Sequence, residues 1–498
     1  MDILHNLYAI LGLAPEAKQE EIRDAYRVLA RRFHPDANRN EGADVLFRDI
    51  ATAYEILGDP TQRVRYDAQR IRSAEVNEPN YFSLRVTPSK RVLPTLDEPQ
   101  VFYLLVEIVP MREVTKQGRH STPLNLVLVL DRSTSMRGAR LDKVKIAARQ
   151  IIDQLGPKDI LSVVAFSDRA DVLIEAGPVT DPAELRATVS IMRANGGTEI
   201  YHGLAAGIEQ CRKHAGPHMV NHVILLTDGR TFGDEERSLA LAKEAAKEGI
   251  GISAMGIGDE WNDVFLDALA AASGGTSAYI NSPAAVVRFL NDRVRSLGEA
   301  FVERLQLTVA PDADVTLESA FKLHPTPQPL ATSPQPIPVG TLEKKRPSAV
   351  LLQLQMPPSD KEHFRTVVRL DVTGDVLAAN RMGYKVISDI SVEVAHNPEQ
   401  EEPPSVILDA LGKLTLYRMQ QKAEQALQQG DAANATRRLE NLATRLLAAG
   451  QEELAQIAKE EARRVSQTRT FSEEGRKGLK FGTRMLLALP QPGGDSGA

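Results

Sequence analysis

The chain has 498 residues, of which 25% are charged and 42% hydrophobic, and its formal net charge at pH 7 is -6. This length exceeds what one hydrophobic core organises, so three or more domains are expected, and the mildly acidic balance disfavours nucleic acid and anionic membranes as partners. The sequence contains no apolar run of about 18 residues, which is the length that would predict a membrane span. The first residues lack a signal-peptide pattern and Cys211 is the single cysteine, so we expect a cytoplasmic protein without internal disulfides.

The first segment, residues 1–72, has two amphipathic helical patterns separated by the loop His34-Pro35-Asp36. The first pattern places four apolar residues on one helical face, namely Ile22, Tyr26, Leu29 and Phe33. Arginines recur at four-residue spacing on another face, at Arg23, Arg27 and Arg31. Proline fixes its own φ and disfavours helix at the residue before it, so the tripeptide is predicted to lie outside both helices.

This segment resembles a J domain of the DnaJ family along its whole length, from Leu7-Tyr8 through His34-Pro35-Asp36 to Arg63-Val64-Arg65-Tyr66-Asp67. The resemblance implies that this segment docks onto a DnaK-type chaperone ATPase. It also implies that the tripeptide of this segment stimulates ATP hydrolysis by that chaperone. It also implies that the docking surface includes Arg23, Arg27, Phe47 and Arg48.

The sequence departs from the family at two positions, because Val28 and Ala37 stand where the family usually has basic residues. Acidic residues interrupt the arginine row, which disfavours a nucleic-acid role for it.

Polar residues follow two apolar runs further along the chain. The run Leu124 to Leu130 leads into Asp131-Arg132-Ser133-Thr134-Ser135, and the run Val220 to Thr227 ends in Asp228. Both runs predict strands that are buried on both faces of a parallel sheet, and ligands of such sheets bind beyond the carboxyl ends of the strands. A candidate site there has five members with oxygen ligands only: Asp131, Ser133, Ser135, Thr198 and Asp228. Such a set suits Mg²⁺.

These five residues resemble the metal-ion-dependent adhesion site of von Willebrand factor A domains, because the motif Asp131-x-Ser133-x-Ser135, the threonine and the second aspartate come in order within residues 121–298. The resemblance implies a bound Mg²⁺ or Mn²⁺. The hydroxyls would touch the ion or come close to it, and the aspartates would act mostly through water. It also implies that an acidic side chain from a partner protein completes the shell. Strands and helices alternate through this segment, which predicts a doubly wound, mostly parallel α/β domain.

Polar residues of this kind also have roles other than metal binding. Ser133, Ser135 and Asp228 can also serve as caps of helices and turns. Three histidines recur at four-residue spacing, at His214, His218 and His222, but Gly216-Pro217 breaks the helix that a zinc site there would need. No histidine is placed near the two serines and no phosphate-binding glycine loop is present, so we do not expect an enzyme.

Strand-like segments flank the α/β domain, in residues 80–120 and 300–396. We infer that both sets pair into one discontinuous β-sandwich, into which the α/β domain is inserted. Tyr384–Ile387 and Ile390–Val394 are predicted to be two separate strands of it. Six prolines between Pro325 and Pro338 predict a long exposed loop in polyproline II form.

After Glu402-Pro403-Pro404 the pattern predicts a helical bundle over residues 403–466, with Gly430 and Gly450 as helix stops. Leu408 and Leu439 are among its predicted core residues. Residues 467–498 are predicted to form a short basic element, around residues 476–480, and a disordered tail that begins at Pro490.

The combined expectation is a multidomain α/β protein that acts as a cytoplasmic co-chaperone or adaptor. Its J segment would recruit and stimulate a DnaK-type ATPase, and its metal site would hold a protein client or complex partner. Two alternatives stay open. The chain could be an assembly subunit that serves an AAA+ remodelling ATPase, or a scaffold whose J segment is inactive. Function depends on sites and not on fold, so the fold alone does not decide between them.

Overall fold

The computed structural model describes residues 7–74, 80–111, 122–231, 233–399 and 401–488. The chain divides into two compact units, one of residues 1–120, 301–325 and 329–407, the other of residues 121–300, 326–328 and 408–498. The predicted fold class is confirmed: an all-helical N-terminal segment, an α/β domain inserted in a β-sandwich, and C-terminal helices are all present. The predictions for the signal-peptide region and for the tail from Pro490 lie outside the described residues.

The J segment forms four helices: α1 (Leu7–Ile10), α2 (Gln19–Phe33), α3 (Glu41–Leu57) and α4 (Pro60–Ala74). The predicted apolar face of α2 packs inward, because Ile22 and Phe33 are fully buried against Ile50 and Leu57 of α3. Helix α4 is held to α1 by polar contacts, since the Tyr66 hydroxyl accepts a 3.0 Å hydrogen bond from the Leu7 backbone N–H. Three strands follow: β1 (Phe82–Pro88), β2 (Val92–Pro94) and β3 (Gln100–Pro110).

The inserted α/β domain has six strands, β4 (Leu124–Asp131), β5 (Ile160–Phe166), β6 (Ala170–Pro178), β7 (Val220–Thr227), β8 (Ile250–Ile257) and β9 (Ser277–Ile280). Six helices alternate with them, α5 (Ala139–Gln154), α6 (Pro182–Ser190), α7 (Ile200–Arg212), α8 (Glu235–Lys247), α9 (Asp263–Ala271) and α10 (Pro283–Gly298). The strand order is β6-β5-β4-β7-β8-β9, and only β6 is antiparallel to its neighbour. Every residue of the central strands β4 and β7 is buried, as their apolar runs predict.

The chain returns to the sandwich with seven strands, β10 (Ala300–Pro311), β11 (Thr316–His324), β12 (Gln328–Leu330), β13 (Ile337–Glu343), β14 (Ser348–Met356), β15 (His363–Val376) and β16 (Arg381–Ala395). One sheet has the order β1-β3-β14-β11-β12, and the other β13-β10-β15-β16-β2. Strands from before and after the insertion are therefore direct neighbours, as β3 and β14 are over nine residue pairs. Their inward side chains form one shared core.

Two predictions for the sandwich are wrong. Tyr384–Ile387 and Ile390–Val394 belong to the single strand β16, because Asp389 between them stays in the ladder and binds Arg369 of β15 at 2.6 Å. The proline-rich segment is not an exposed polyproline loop. It contains β12 and leads into β13, and Leu330 and Ile337 are buried in the sandwich core. Both are edge strands, where proline is tolerated because the missing N–H faces no partner strand.

The C-terminal region consists of α11 (Ser405–Gln428), α12 (Ala432–Ala448), α13 (Glu452–Thr468) and α14 (Glu473–Met485). Gly430 and Gly450 both take positive φ just after a helix, as predicted. Leu439 is buried, but Leu408 is 47% exposed, so its assignment to the core is wrong: the inner face of α11 is formed by Leu416 and alanines. The predicted basic element is α14, and it packs against α13 as part of the bundle. No helix in the described ranges is long and apolar enough to cross a membrane.

Within the first unit, the J domain packs directly on the sandwich. Asn38 is fully buried and donates to the Pro311 carbonyl at 3.0 Å, and Asn40 donates to the Asp312 carbonyl at 3.1 Å. Asp49 of α3 forms a 2.5 Å ion pair with Lys385. At Gly42 the two parts come so close that a side chain there would overlap the Val309 carbonyl group. The J domain is thus built onto the sandwich surface.

This close approach predicts the effect of a single methyl group. Gly42→Ala should lower the free energy of unfolding of this unit by about 1–3 kcal/mol, because the added carbon has no space. Gly412→Ala is the control: it lies in a helix with open space around it, and the same change there should raise stability by about 0.5–1 kcal/mol. Scanning calorimetry of both variants checks this. A Gly42→Ala melting temperature equal to that of the parent protein would contradict the packing.

Candidate functional site

The two aspartates of the candidate metal site emerge side by side at the carboxyl edge of the central sheet. Strands β4 and β7 are parallel neighbours whose last registered pair is Leu130 and Leu226, so Asp131 follows beside Thr227 and Asp228 comes one residue later. The Thr227 hydroxyl donates a 2.6 Å hydrogen bond to Oδ2 of Asp131. This contact ties the two strand ends together.

The turn after β4 brings both serines to the second aspartate. The Ser133 backbone N–H donates to Oδ1 of Asp131 at 2.7 Å, and a single 3₁₀ turn follows over Thr134–Met136. As a result the Ser133 and Ser135 hydroxyl oxygens lie 3.0 Å apart. Ser135 in turn donates to Oδ1 of Asp228 at 2.7 Å. The spacing Asp-x-Ser-x-Ser thus places its three side chains around one point.

The loop that carries Thr198 is held against this turn by backbone contacts. Both the backbone N–H and the hydroxyl of Thr134 donate to the Gly196 carbonyl at 3.0 Å. On its other side Thr198 lies against Gly229, where a Cβ would stand 3.0 Å from the threonine oxygen. Thr198 and Ser135 line the same open cleft. The structure therefore brings together all five predicted metal-site residues.

The site concentrates negative charge in a buried place. Asp131 is fully buried, and burial raises the pKa of its carboxyl to about 6, with a further contribution from the charge of Asp228. Arg140, near the start of α5, donates to Oδ2 of Asp228 at 2.6 Å. The other carboxylate, Asp131, receives only hydrogen bonds from neutral groups, two of which are described above. An uncompensated buried carboxylate is costly unless a cation neutralises it.

The donor set fits a hard divalent cation. Mg²⁺ binds oxygens at about 2.0–2.1 Å in octahedral geometry, which puts adjacent ligands about 2.9 Å apart. The separations of 3.0 Å between the serine hydroxyls and 2.7 Å from Ser135 to Asp228 are of this size. Within the described ranges no group of three or more His, Cys, Asp or Glu side chains lies together as a possible metal site. The candidate site instead combines two carboxylates with three hydroxyls.

The cleft is also lined by residues that the sequence pattern did not predict. It has a volume of about 640 Å³, and its remaining lining residues are Gly229, Arg230, Asp259, Glu260 and Glu473. Glu473 comes from α14, more than 240 positions after Asp228 in the chain. No local signal links it to the metal site. Arg140 and Thr227 were also missed, although Thr227 directly precedes Asp228 and its hydroxyl could have been included.

Helix α14 is fixed to the α/β domain by a row of cations. Arg476 and Lys480 reach Asp263 of α9 at 2.6 and 2.5 Å, and Lys480 also reaches Asp267 at 2.9 Å. Arg484, which is 2% exposed, donates to Asp267 at 2.9 Å and to the Pro327 carbonyl at 2.6 Å. Burial alone would raise the pKa of the Asp267 carboxyl, but the charges of Arg484 and Lys480 outweigh it and the pKa is lowered.

Lys477 connects α14 to the wall of the cleft. Its ammonium donates to the carbonyls of Asp259 and Trp261, at 2.6 Å in the latter case, and lies 4.6 Å from the centre of the tryptophan ring. Burial lowers the pKa of Lys477 to about 8. The loop after β8, which lines the cleft with Asp259 and Glu260, is thus held in place by α14.

On the J domain, the predicted chaperone-docking residues remain accessible. The side chains of His34 and Asp36 are 48% and 94% exposed, and Pro35 is exposed as well. The His34 ring stands edge-on to Phe47, with 5.3 Å between ring centres. The arginines Arg23, Arg27 and Arg48 are exposed, and so are Arg31, Val28 and Ala37. Residues that contact the sandwich, such as Arg32, Asn38 and Asp49, are different ones.

Comparison with known families assigns three parts of the chain. Residues 6–67 match the DnaJ domain, residues 125–292 match the von Willebrand factor type A domain, and residues 405–489 match the Sll0103-like C-terminal alpha-helical domain. The protein sll0103 of Synechocystis is 31% identical over 382 residues, which cover 74% of this chain and 89% of that protein. The chaperone protein DnaJ of Trichormus variabilis is 53% identical over 60 residues, which are 12% of this chain and 16% of that chaperone.

Solved structures agree on the fold. A von Willebrand factor type A protein from Catenulispora acidiphila superposes with a TM-score of 0.63 at 17% identity, covering 81% of this chain and 96% of the other. The ArnB paralog VWA2 from Sulfolobus acidocaldarius gives a TM-score of 0.53 at 14% identity, covering 82% and 98%. At these identities the likeness shows the fold alone.

The ion pairs of α14 predict how firmly it holds the α/β domain. Arg484→Leu should lower the free energy of unfolding of this unit by about 1–3 kcal/mol, because it removes one of the two cations that contact the half-buried Asp267 and leaves Lys480 as the other. Arg464→Leu, on the exposed face of α13, should change it by less than about 0.5 kcal/mol. Trp261 is the single tryptophan and lies at this contact, so its fluorescence during urea unfolding reports the difference. Equal midpoints for the two variants would contradict the anchoring.

Proposed function

The chain belongs to the family of the protein sll0103, and from this premise we propose that it is a cytoplasmic, non-enzymatic co-chaperone or adaptor with two separate sites. Its J domain recruits a DnaK-type chaperone and stimulates the chaperone's ATPase. Its A domain holds a protein client or complex partner at a metal ion. Family models match the A domain at residues 125–292, the C-terminal helices at residues 405–489 and the J domain at residues 6–67.

The accessible His34-Pro35-Asp36 loop is the observation that carries the proposal. The sandwich binds the J domain through residues such as Asn38 and Asp49, yet the loop and the arginines of α2 stay exposed. If the J domain were only a structural extension of the sandwich, nothing would require this loop and the arginine row to remain accessible together. A row of exposed cations suits electrostatic steering toward an acidic partner surface.

For the second site, we propose that Asp131, Ser133, Ser135, Thr198 and Asp228 hold Mg²⁺ or Mn²⁺. Three observations support this: the oxygen-only donor set, its spacing, and the buried charge of Asp131. A bound ion supplies a positive charge with a free position that an acidic side chain of a partner can take. The protein residues orient the hydroxyls, and the buried strand ends keep the two carboxylates in place. Arg140 balances part of the charge through Asp228.

The J-domain proposal predicts stimulation of a DnaK-type ATPase by the full chain. Single-turnover ATP hydrolysis by a bacterial DnaK should accelerate severalfold when the chain is added, and His34→Gln should abolish the acceleration, because the exposed loop is altered while the J-domain core is kept. Asp131→Ala is the matched control and should stimulate as the parent does. Absence of stimulation at saturating concentrations of the parent chain would contradict this part of the proposal.

The metal proposal predicts ion binding that depends on Asp131. Titration calorimetry with Mn²⁺ should show one site in the parent protein, and Asp131→Asn should weaken it at least about tenfold, a loss of about 1.4 kcal/mol. Asp153→Asn removes a carboxylate from the surface of α5 and should leave the binding unchanged. Addition of a chelator should release captured partner protein from the parent chain. Equal Mn²⁺ affinity in the two variants would rule out this site.

A further inference from the structure

The cleft beside the metal-site residues is built from two domains. Ser135 and Thr198 line it from the α/β domain, and Glu473 lines it from the first turn of α14. Because α14 is anchored by four buried or half-buried cations, the position of Glu473 is determined by the docked helix and not by a free side chain on a loop. A ligand at the metal site would therefore also contact the C-terminal helical domain.

The cations of α14 form ion pairs with carboxylates on α9, α11 and α14 itself. Four cations of the helix are involved, Arg476, Lys477, Lys480 and Arg484. They contact four carboxylates, Asp263, Asp267, Glu424 and Glu473. Of these four carboxylates only Glu473 lines the cleft, and its side chain is 46% exposed.

The remaining rim is acidic on balance. Asp259 and Glu260 line the cleft together with Glu473, and the only cation among the lining residues is Arg230. Arg230 donates to the Glu260 carbonyl at 3.1 Å and lies 3.9 Å from the Glu473 carboxylate. The lining side chains thus carry three negative charges against one positive charge. An acidic ligand that approaches the metal position experiences repulsion from this rim.

We propose that α14 is part of the ligand-binding cleft and that Glu473 selects the ligand. The preferred partner segment carries a carboxylate for the metal and a cationic residue next to it, which faces Glu473. A segment with the carboxylate alone binds more weakly, because nothing offsets the negative rim. This inference rests on the proposed function of the metal site, and it gives the C-terminal helical domain a role in recognition in addition to packing.

The test uses two synthetic peptides with one central aspartate, flanked by lysines in one and by glutamines in the other. Their binding to the full chain is measured by fluorescence anisotropy in 5 mM Mg²⁺. The lysine peptide should bind about fivefold more tightly to the parent protein, as expected for one screened charge pair. In Glu473→Gln this preference should fall to about twofold or less, because the glutamine peptide gains affinity and the lysine peptide does not.

Glu474→Gln is the matched control. It removes the same charge from the same helical turn, but Glu474 does not line the cleft, so the fivefold preference should persist. Asp131→Ala should abolish the Mg²⁺-dependent binding of both peptides. If the parent protein binds both peptides equally in a Mg²⁺-dependent way, or if both glutamate variants behave alike, the role of Glu473 is refuted while the metal site stands. If neither peptide shows Mg²⁺-dependent binding, the metal site and the selection by Glu473 are both refuted.

Discussion

The carboxyl edge of the six-stranded sheet is the constraint on which the candidate metal site depends. Strands β4 and β7 are buried on both faces, and the aspartates of the candidate site emerge at their carboxyl ends. Since the two strands are parallel neighbours in register, their terminal aspartates must lie together. The turn after Asp131 then adds the two serine hydroxyls within hydrogen-bond distance. The positions of the two aspartates thus follow from sheet topology, and the loop that carries Thr198 turns at Gly196, which has a positive φ.

The C-terminal helices contribute to the cleft beside the candidate metal site. An isolated α/β domain would present an open edge with Ser135 and Thr198, but α14 adds Glu473 and fixes the loop that contains Asp259. Residues 405–489, which include α14, match the Sll0103-like C-terminal alpha-helical domain. The J domain also packs on its neighbour, through buried polar contacts such as that of Asn38.

Much of the fold was predictable from local patterns, because buried parallel strands and amphipathic helices leave periodic signals. That the five candidate residues lie together was predictable for the same reason, as each follows a recognisable strand or precedes a helix. Glu473 was not, because its place in the cleft arises from ion pairs between α14 and α9 that no sequence spacing encodes. The strand β16 was divided in error, because Asp389 resembles a turn residue until its partner Arg369 is known. Edge strands with prolines were mistaken for a loop, because their apolar residues alternate with helix and strand breakers.

The central claim is that one chain joins two independent recruitment sites. Affinity purification of the tagged parent chain, His34→Gln and Asp131→Ala from cells, compared by quantitative mass spectrometry, tests it most directly. The account predicts that a DnaK-type chaperone disappears with His34→Gln alone, and that a different set of proteins disappears with Asp131→Ala alone. Loss of one common set in both variants, or retention of every partner in both, would contradict it.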